Sequence, residues 1–260
     1  MKASARNDAR ARELGSGFIV VEREKGQAAV FAPRLASAGV IAMMSTKSVN
    51  ARSPEEVAAW LEGFGLQSEQ LAQTEQVHGT DVAQVPPIAA GSADGMWSQT
   101  PDVVLSVKAA DCAPVWLADT RSQRFALIHA GWRGVSAGIA SYAVAALRRA
   151  GSRAQDLIAA IGPHLQPCCF EVGPEVGERF SRWPKSVKPG AQLRVARKRD
   201  DAFALDLATA IEAQLIDAGV RGEEIFASTA CTRCEEQLFH SYRRNGAGGP
   251  LMVAVATRRS

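Results

Sequence analysis

Short β-rich apolar runs, separated by Gly, Pro or charged residues, are the feature that most constrains the fold of this chain. The first three runs, at 17–21, 28–31 and 40–44, predict an opening antiparallel meander. Further strands are predicted at 71–76, 80–85, 103–107, 115–117, 125–128, 157–161, 225–227 and 251–256. Helices do not alternate strictly with these strands, so the pattern predicts an α+β fold with mixed or antiparallel sheets and flanking helices.

The helix that follows the meander has the clearest boundaries. Ser53 is a good N-cap, Pro54 occupies the first helical position, and Glu56 lies three residues after the cap. Apolar residues at helical spacing then continue up to Gly65. Three more helices are predicted at 135–149, 174–180 and 205–218.

Length and composition predict one large domain, with two domains as the alternative. The chain has 260 residues, 47% hydrophobic and 22% charged, so a single large domain over residues 15–260 is expected. Residues 1–14 are polar and Arg-rich and are expected to form a disordered tail without a secretory signal. Five cysteines, an odd number, then predict a reducing cytoplasm. A net charge of +3 that is spread along the chain, and no long apolar run, predict neither a nucleic-acid nor a membrane partner.

Three side chains with metal-binding chemistry lie at the edges of apolar runs. They are His78, Cys112 and His129, separated by 34 and 17 residues, so the fold must bring them together. Two imidazoles and one thiolate form a borderline-soft donor set that suits Zn²⁺. Three protein ligands leave the fourth tetrahedral position for water or substrate, which is typical of a catalytic site.

The motifs around these residues resemble the YfiH-type family, whose members are also called laccase-domain proteins, multifunctional purine nucleoside phosphorylases and peptidoglycan editing factors. The order of the motifs carries the resemblance: Gln76-Val77-His78-Gly79, Ala110-Asp111-Cys112, His129-Ala130-Gly131-Trp132-Arg133-Gly134, Ile161-Gly162-Pro163, Cys169-Phe170-Glu171-Val172-Gly173, Cys231-Thr232 and Ser241-Tyr242-Arg243-Arg244. It extends from about Gln76 to the C-terminus. One departure is the short segment from Lys47 to Ser53, which predicts a rebuilt wall of the pocket.

The resemblance implies an α+β domain distantly related to cysteine-hydrolase toxin domains, with Zn²⁺ held by His78, Cys112 and His129. It implies phosphorolysis of adenosine, inosine and methylthioadenosine, together with adenosine deaminase activity. The expected ligands are therefore a nucleoside and phosphate, and the expected assembly is a monomer or small homo-oligomer. Copper is the alternative ion at this site, but a multicopper oxidase needs several imidazole-rich centres, and this chain has only four histidines.

The two reactions need a proton-transferring carboxylate and a cationic phosphate clamp. Asp111, Asp94 and Glu171 are the candidate carboxylates, and Asp111 and Glu171 are predicted as catalytic residues. Asp111 has an equally weighted alternative, which is to orient its neighbours through hydrogen bonds.

Arginine and lysine supply the clamp. Arg133 is predicted to act in catalysis and phosphate binding, and Lys47 and Arg243 in substrate or phosphate binding. Arg243 is preferred to Arg244 because neighbouring residues of a strand face opposite sides.

Two other function classes stay open. In the first, Cys112 is the nucleophile of a cysteine hydrolase, or the metal site is that of a hydrolase, and the substrate is an amide of a cytoplasmic peptidoglycan precursor. In the second, the metal is structural. Among the remaining cysteines, Cys231 and Cys234 look like half of a zinc knuckle, but no second Cys-x-x-Cys follows, and the adjacent pair Cys168 and Cys169 looks poorly shaped for chelation of one ion. They are predicted to be buried or partly exposed thiols, and a redox role or a second metal site is the alternative.

Overall fold

The computed structural model describes residues 10–23, 27–86, 91–181, 196–199 and 202–259. These ranges contain sixteen strands and six α-helices. The strands are β1 (Arg10–Gly15), β2 (Phe18–Glu22), β3 (Ala28–Phe31), β4 (Val40–Ser45), β5 (Leu71–Ala72), β6 (Val82–Gln84), β7 (Gly95–Ser98), β8 (Val104–Ala109), β9 (Ala113–Asp119), β10 (Phe125–Ala130), β11 (Leu157–Ile161), β12 (Glu171–Val172), β13 (Ala196–Arg199), β14 (Ala202–Leu205), β15 (Ile225–Ala227) and β16 (Met252–Arg258). The helices are α1 (Pro54–Gly63), α2 (Trp132–Ala137), α3 (Ile139–Arg149), α4 (Pro174–Ser181), α5 (Leu207–Asp217) and α6 (Tyr242–Asn245).

Two large mixed sheets form the centre of the molecule. The first sheet has the strand order β1-β2-β3-β4-β16-β8-β5 and the second has the order β15-β11-β9-β10-β7-β6. Most neighbours are antiparallel, and the parallel pairs are β5 with β8, β6 with β7 and β11 with β15. A small third sheet, β12-β14-β13, lies beside them. The α+β architecture predicted from the sequence is confirmed, as is the opening meander β2-β3-β4.

The two sheets pack face to face between helices. In β9, Val115 and Leu117 belong to the core shared with α2, α3 and α5, while Trp116 and Ala118 belong to the core between the sheets. This alternation follows from the two-residue period of a strand. Helix α1 covers the outer face of the first sheet. The result is four layers, and the second sheet, buried on both faces, holds the strands that carry the site.

Helix α1 forms as its N-terminal signature predicts. The Ser53 hydroxyl accepts a hydrogen bond from the Glu56 N–H at 3.2 Å, and Pro54 is the first helical residue. Trp60 and Leu61 are buried against the first sheet. An N-cap of this kind stabilises a helix by about 1 kcal/mol, and the larger contribution comes from burying the apolar face.

The single helix predicted at 135–149 is instead two helices. Gly138 adopts a left-handed conformation with φ of 97° and ends α2 before α3 begins. Gln214 of α5 supports the break, because its amide donates to the Val135 carbonyl at 2.6 Å and accepts from the Ala140 N–H at 3.1 Å. A buried side chain thus satisfies main-chain groups that an unbroken helix would pair internally.

Two other predictions also differ from the structure. The predicted tail 1–14 contains β1, which pairs with β2 from Arg10 onward, and residues 1–9 lie outside the described ranges. The strand predicted at 71–76 ends at Ala72. Beyond it, the Gln76 amide takes the place of a main-chain ladder, since it donates to the Lys108 carbonyl at 2.8 Å and accepts from the Lys108 N–H at 2.7 Å.

Among the described residues, no helix has both the length and the apolar character needed to cross a membrane.

Candidate active site

The fold brings together the three side chains predicted to bind metal. The ligand atoms of His78, Cys112 and His129 all lie within 4.8 Å of one another, and Cys112 Sγ is 3.9 Å from His78 Nε2. His129 is buried, whereas His78 is exposed. Donor atoms this close around a common point can hold one metal ion, with its open side toward solvent.

Strand register explains why distant residues meet here. Strands β9 and β10 pair so that His129 is opposite Pro114 and Ala130 is opposite Ala113, which places Cys112 beside the end of β10. Gly131 follows, and a Cβ added to it would lie 2.8 Å from His78 Cδ2 and 3.0 Å from Cys112 Sγ. No larger residue fits without moving a ligand, so the glycine of the His-Ala-Gly-Trp motif is required by close approach.

Asp94 organises two of the three ligands. Its carboxylate is fully buried and accepts from the backbone N–H groups of Val77, His78 and Gly79 at 3.0, 2.9 and 2.7 Å. It also accepts from Nδ1 of His129 at 2.8 Å. A carboxylate only accepts hydrogen bonds, so this contact fixes the proton on Nδ1 and leaves Nε2 free to bind a metal ion.

The protonation of these groups is strongly coupled. Burial raises the pKa of the Cys112 thiol, but the neighbouring His129 and His78 outweigh burial and lower that pKa to about 6. Burial lowers the pKa of His129, yet Cys112 and Asp94 raise it to about 9. Burial raises the pKa of Asp94, and its hydrogen bonds to His129 and the backbone reverse that effect. At neutral pH the protein without metal therefore holds a thiolate beside an imidazolium.

A cavity of about 640 Å³ opens above the three ligands. Its lining contains basic, acidic and apolar side chains: Arg52, Gln73, Thr74, Glu75, Gln76, His78, Ser106, Lys108, Ala109, Ala110, Asp111, Cys112, His129, Trp132, Arg133, Leu165, Phe170, Leu207, Tyr242, Arg243 and Leu251. A volume of about 300–1,000 Å³ with apolar walls and a few convergent polar groups is typical of a small-molecule site.

Asp111 holds one wall of this cavity. Its carboxylate accepts from the Thr232 hydroxyl at 2.6 Å, the Ser241 hydroxyl at 3.0 Å and the Arg243 N–H at 2.6 Å. Asp111 itself has φ of 80°, a left-handed conformation that aspartate tolerates better than most residues. Both oxygens are thus engaged in fixing the C-terminal segment, which favours the orienting role over direct proton transfer.

Two of the predicted cations line the cavity. Arg133 lies over the Trp132 ring at 4.4 Å, an arrangement that limits the freedom of its guanidinium. Arg243 reaches the Glu171 carbonyl at 3.0 Å. Its segment is the short helix α6, so the reason given for preferring Arg243, that neighbouring residues of a strand face opposite sides, was wrong. The guanidinium of Arg244 instead donates to the backbone carbonyls of Arg233 and Phe239.

Two predicted site residues are not placed at the cavity. Lys47 donates to the Glu236 carbonyl at 2.9 Å and is absent from the lining. Glu171 is exposed and lines a separate small cavity with Arg233 and Phe203. The sequence placed both near the site through their motifs, but the direction of a side chain at a strand end or in a loop depends on tertiary packing.

Sequence reasoning missed two cations that the structure places in the lining. Arg52 comes from the short segment between Lys47 and Ser53, and its Nε donates to the Gly249 carbonyl at 2.9 Å. Lys108 lies near the end of β8. The length departure before α1 was the available signal for Arg52, since a rebuilt wall must be made from residues of that segment.

Comparisons with known proteins find relatives over most of this chain. A family model described as "Multi-copper polyphenol oxidoreductase laccase" matches residues 43–258. Purine nucleoside phosphorylase YlmD of Geobacillus stearothermophilus is 34% identical over 226 residues, which cover 82% of this chain and 80% of that protein. Adenosine deaminase RL5, from an unknown prokaryotic organism, is 35% identical over 153 residues, which cover 59% of this chain and 57% of that protein.

The fold is also similar to that of a known relative. The crystal structure of YlmD from Geobacillus stearothermophilus superposes with a TM-score of 0.79 and 27% identity, covering 100% of this chain and 98% of that one. The chain therefore belongs to the laccase-domain family that includes YfiH and YlmD.

Proposed function

We propose that this chain is a zinc-dependent purine nucleoside phosphorylase that acts on adenosine, inosine and methylthioadenosine and also deaminates adenosine. The observation that carries the proposal is the His78, Cys112 and His129 centre, which opens into a cavity of about 640 Å³ with four basic side chains in its lining. Relatives named as a purine nucleoside phosphorylase and an adenosine deaminase support the same pair of reactions.

The donor set fits zinc. One thiolate and two imidazoles, with Nε2 of His129 freed by Asp94, match the mixed sulfur and nitrogen coordination of zinc enzymes. A zinc ion bound there would supply Lewis-acid polarisation of an oxygen-containing reactant. Copper is the alternative ion for this donor set, and only metal analysis of the purified protein distinguishes the two.

The basic side chains provide the phosphate site. Arg52, Lys108, Arg133 and Arg243 surround the cavity. Arginine binds two oxygens of a phosphate with parallel hydrogen bonds, so Arg133 and Arg243 are the proposed clamp. A phosphate held there presents an oxygen to C1′ of the ribose as the bond to the purine breaks.

The apolar side chains provide the purine site. Trp132, Phe170 and Tyr242 line the cavity together with several leucines. A purine ring can stack on such side chains, and each base stacked on an aromatic ring contributes about 1–3 kcal/mol. Asp111 acts as a positioning residue here, because it fixes the N-terminus of α6 from which Tyr242 and Arg243 project.

One experiment tests the proposal directly. Purified protein is incubated with adenosine, with and without phosphate, and the products are separated. We expect adenine and ribose 1-phosphate only when phosphate is present, and inosine in both reactions. Cys112→Ala should abolish both activities while leaving the fold intact. Absence of all three products from well-folded, zinc-loaded protein would refute the assignment.

A second candidate is a cysteine hydrolase that cleaves an amide in a peptidoglycan precursor. The thiolate of Cys112 beside the protonated His129 favours it, because this pairing activates a nucleophile. Under this alternative, chelator-treated protein keeps its activity and an electrophile labels Cys112 during turnover. Under the zinc proposal, chelation abolishes turnover and no covalent intermediate forms.

The odd number of cysteines also supports a cytoplasmic location for this activity, since free thiols persist in a reducing compartment. A monomer or small homo-oligomer remains the expected assembly.

A further inference from the structure

Four cysteines outside the candidate active site meet at one point. The Sγ atoms of Cys168, Cys169, Cys231 and Cys234 all lie within 4.8 Å of one another. Cys234 Sγ is 3.7 Å from Cys168 Sγ and 3.4 Å from Cys169 Sγ. The sequence favoured buried or partly exposed thiols, because adjacent cysteines look poorly suited to share an ion, and it kept a second metal site as the alternative. The fold favours that alternative, because two loops close on each other and bring the four sulfurs together.

Backbone contacts hold the two loops together. Cys231 forms an isolated parallel bridge with His164, and the Thr232 N–H donates to the His164 carbonyl at 3.1 Å. On the other loop, the Cys169 N–H donates to the Gln166 carbonyl at 2.9 Å. The Gln166 amide also donates to the Ser228 carbonyl at 3.0 Å. The cysteines are therefore brought together by fixed backbone and not by chance proximity of flexible side chains.

The turn from Cys231 to Cys234 has the spacing of a zinc knuckle, with two residues between the cysteines. Cys231 is the most buried of the four cysteines, and Cys168 and Cys234 are exposed. The cluster therefore combines a buried sulfur with sulfurs that an ion can reach from solvent.

The distances indicate a single ion. A Zn–S bond of about 2.3 Å gives sulfur-to-sulfur edges of about 3.8 Å in a tetrahedron, close to the two short separations here. A disulfide needs about 2.05 Å, and neither sulfur pair approaches it. In an iron–sulfur cluster the four cysteines bind more than one iron atom of a larger core, which a group this compact does not surround.

Local charge is complementary to four thiolates around a divalent ion, a group with a net charge of −2. Arg233, Arg243 and Glu171 line a cavity of about 240 Å³ together with Cys168 and Cys169, so the two arginines and one glutamate carry a net charge of +1 there. Basic side chains next to such a group offset its negative charge and lower the cost of assembling it.

We propose that Cys168, Cys169, Cys231 and Cys234 form a second, structural metal site that binds one zinc ion. With four protein ligands the coordination sphere is closed, so this ion holds structure and does not meet substrate. The site joins the loop that precedes Phe170 to the turn that contains Thr232. Phe170 lines the active-site cavity and Thr232 donates to Asp111, so the second ion stabilises the wall of that cavity.

Metal analysis of the full-length protein tests this site independently of activity. We expect two zinc ions per wild-type chain and one in a Cys168→Ser/Cys234→Ser variant, which replaces the two exposed ligands. Cys112→Ser is the matched control, because it changes the candidate active site and should retain the one zinc ion that the four cysteines bind. Cobalt substitution of Cys112→Ser should then give the strong absorption of a tetrahedral all-thiolate complex, and the double variant should lack it.

A second measurement needs no variant and so does not depend on how a variant folds. Wild-type protein is titrated with a mercurial thiol reagent in the presence of a zinc-sensitive dye. Release of a zinc ion that tracks modification of four thiols supports the proposal. Zinc release that does not track modification of four thiols, a chain that contains iron and inorganic sulfide, or loss of two titratable thiols to a disulfide after aerobic purification would each overturn it.

Discussion

Asp94 and Asp111 are both buried, and each carboxylate accepts several hydrogen bonds at the candidate active site, but their donors differ. Asp94 accepts only from backbone N–H groups and from Nδ1 of His129. Asp111 accepts from two hydroxyls and one backbone N–H. A hydroxyl can rotate and accept instead, whereas a backbone N–H cannot.

This difference gives the two carboxylates different structural roles. The donors around Asp94 belong to the loop and strand that carry His78 and His129, so Asp94 fixes the chemistry of the metal centre. The donors around Asp111 belong to the C-terminal segment, so Asp111 fixes the wall that faces substrate. Substituting asparagine, which keeps the shape and removes one accepting oxygen, should therefore have very different consequences at the two positions.

Asp94→Asn should have the largest effect. In one orientation, the new NH₂ group faces the N–H groups of Val77 and Gly79, which can only donate. In the other, it faces the His78 N–H and Nδ1 of His129, and that imidazole then moves its proton to Nε2, which can no longer bind metal. We expect zinc affinity and activity to fall by about 10- to 100-fold, as is usual when the partner of a metal-binding histidine is lost. A competition titration with a chelator measures the affinity, and unchanged affinity would show that Asp94 does not set the imidazole.

Asp111→Ala should come next. It leaves two buried hydroxyls and one partly buried N–H without an acceptor, with a cost of about 1–3 kcal/mol for each buried donor, and it places alanine at a positive φ. We expect a lower melting temperature and a KM for adenosine raised by about tenfold, with the zinc content of the active site retained. Loss of that zinc in a folded variant would show that Asp111 also supports the metal centre, and would contradict the distinct roles of the two carboxylates.

Asp111→Asn should be much milder than either. Asparagine tolerates the left-handed conformation, and its NH₂ group can donate to the Thr232 hydroxyl if that hydroxyl reverses its role. We expect a KM change of about threefold or less, measured beside Asp94→Asn under the same conditions. Equal losses in the two asparagine variants would remove the distinction between fixed and reversible donors.

The smallest expected difference is between Arg52→Ala and Lys47→Ala. This pair tests which cation of the segment before α1 belongs to the cavity wall. Arg52 lines the cavity, while Lys47 donates to a carbonyl outside it. We expect the KM for phosphate to rise by about twofold in Arg52→Ala, since an exposed ion pair contributes about 0.5 kcal/mol, and to stay unchanged in Lys47→Ala. The opposite ranking would restore Lys47 as the phosphate ligand.

The residues that could be predicted from the sequence share a simple local signal. Apolar period, an N-cap and Gly or Pro punctuation predicted the meander, α1 and most strands of the second sheet. His78, Cys112 and His129 stood out because imidazole and thiolate are the usual zinc ligands. These signals depend on residue type and neighbours in the chain, so one sequence is enough to see them.

The parts that were missed depend on contacts between distant residues. Strand β7 is short and begins with glycine, and only its neighbours β6 and β10 show that it is a strand. Asp94 was a candidate carboxylate, but its contact with His129 spans 35 residues. The four-cysteine cluster likewise needs His164 and Gln166 to close the two loops. The residues next to each of these positions in the chain carry no pattern that predicts such long-range contacts.

The position of β16 has a consequence for how the protein is made. This strand follows all the others along the chain, yet it lies inside the first sheet between β4 and β8, where Ala254 pairs with both Met44 and Val107. Contacts between residues so far apart form slowly. During synthesis the two parts of that sheet have unpaired edges until residues 252–258 have left the ribosome, so chaperone binding and aggregation compete with folding of the earlier segments.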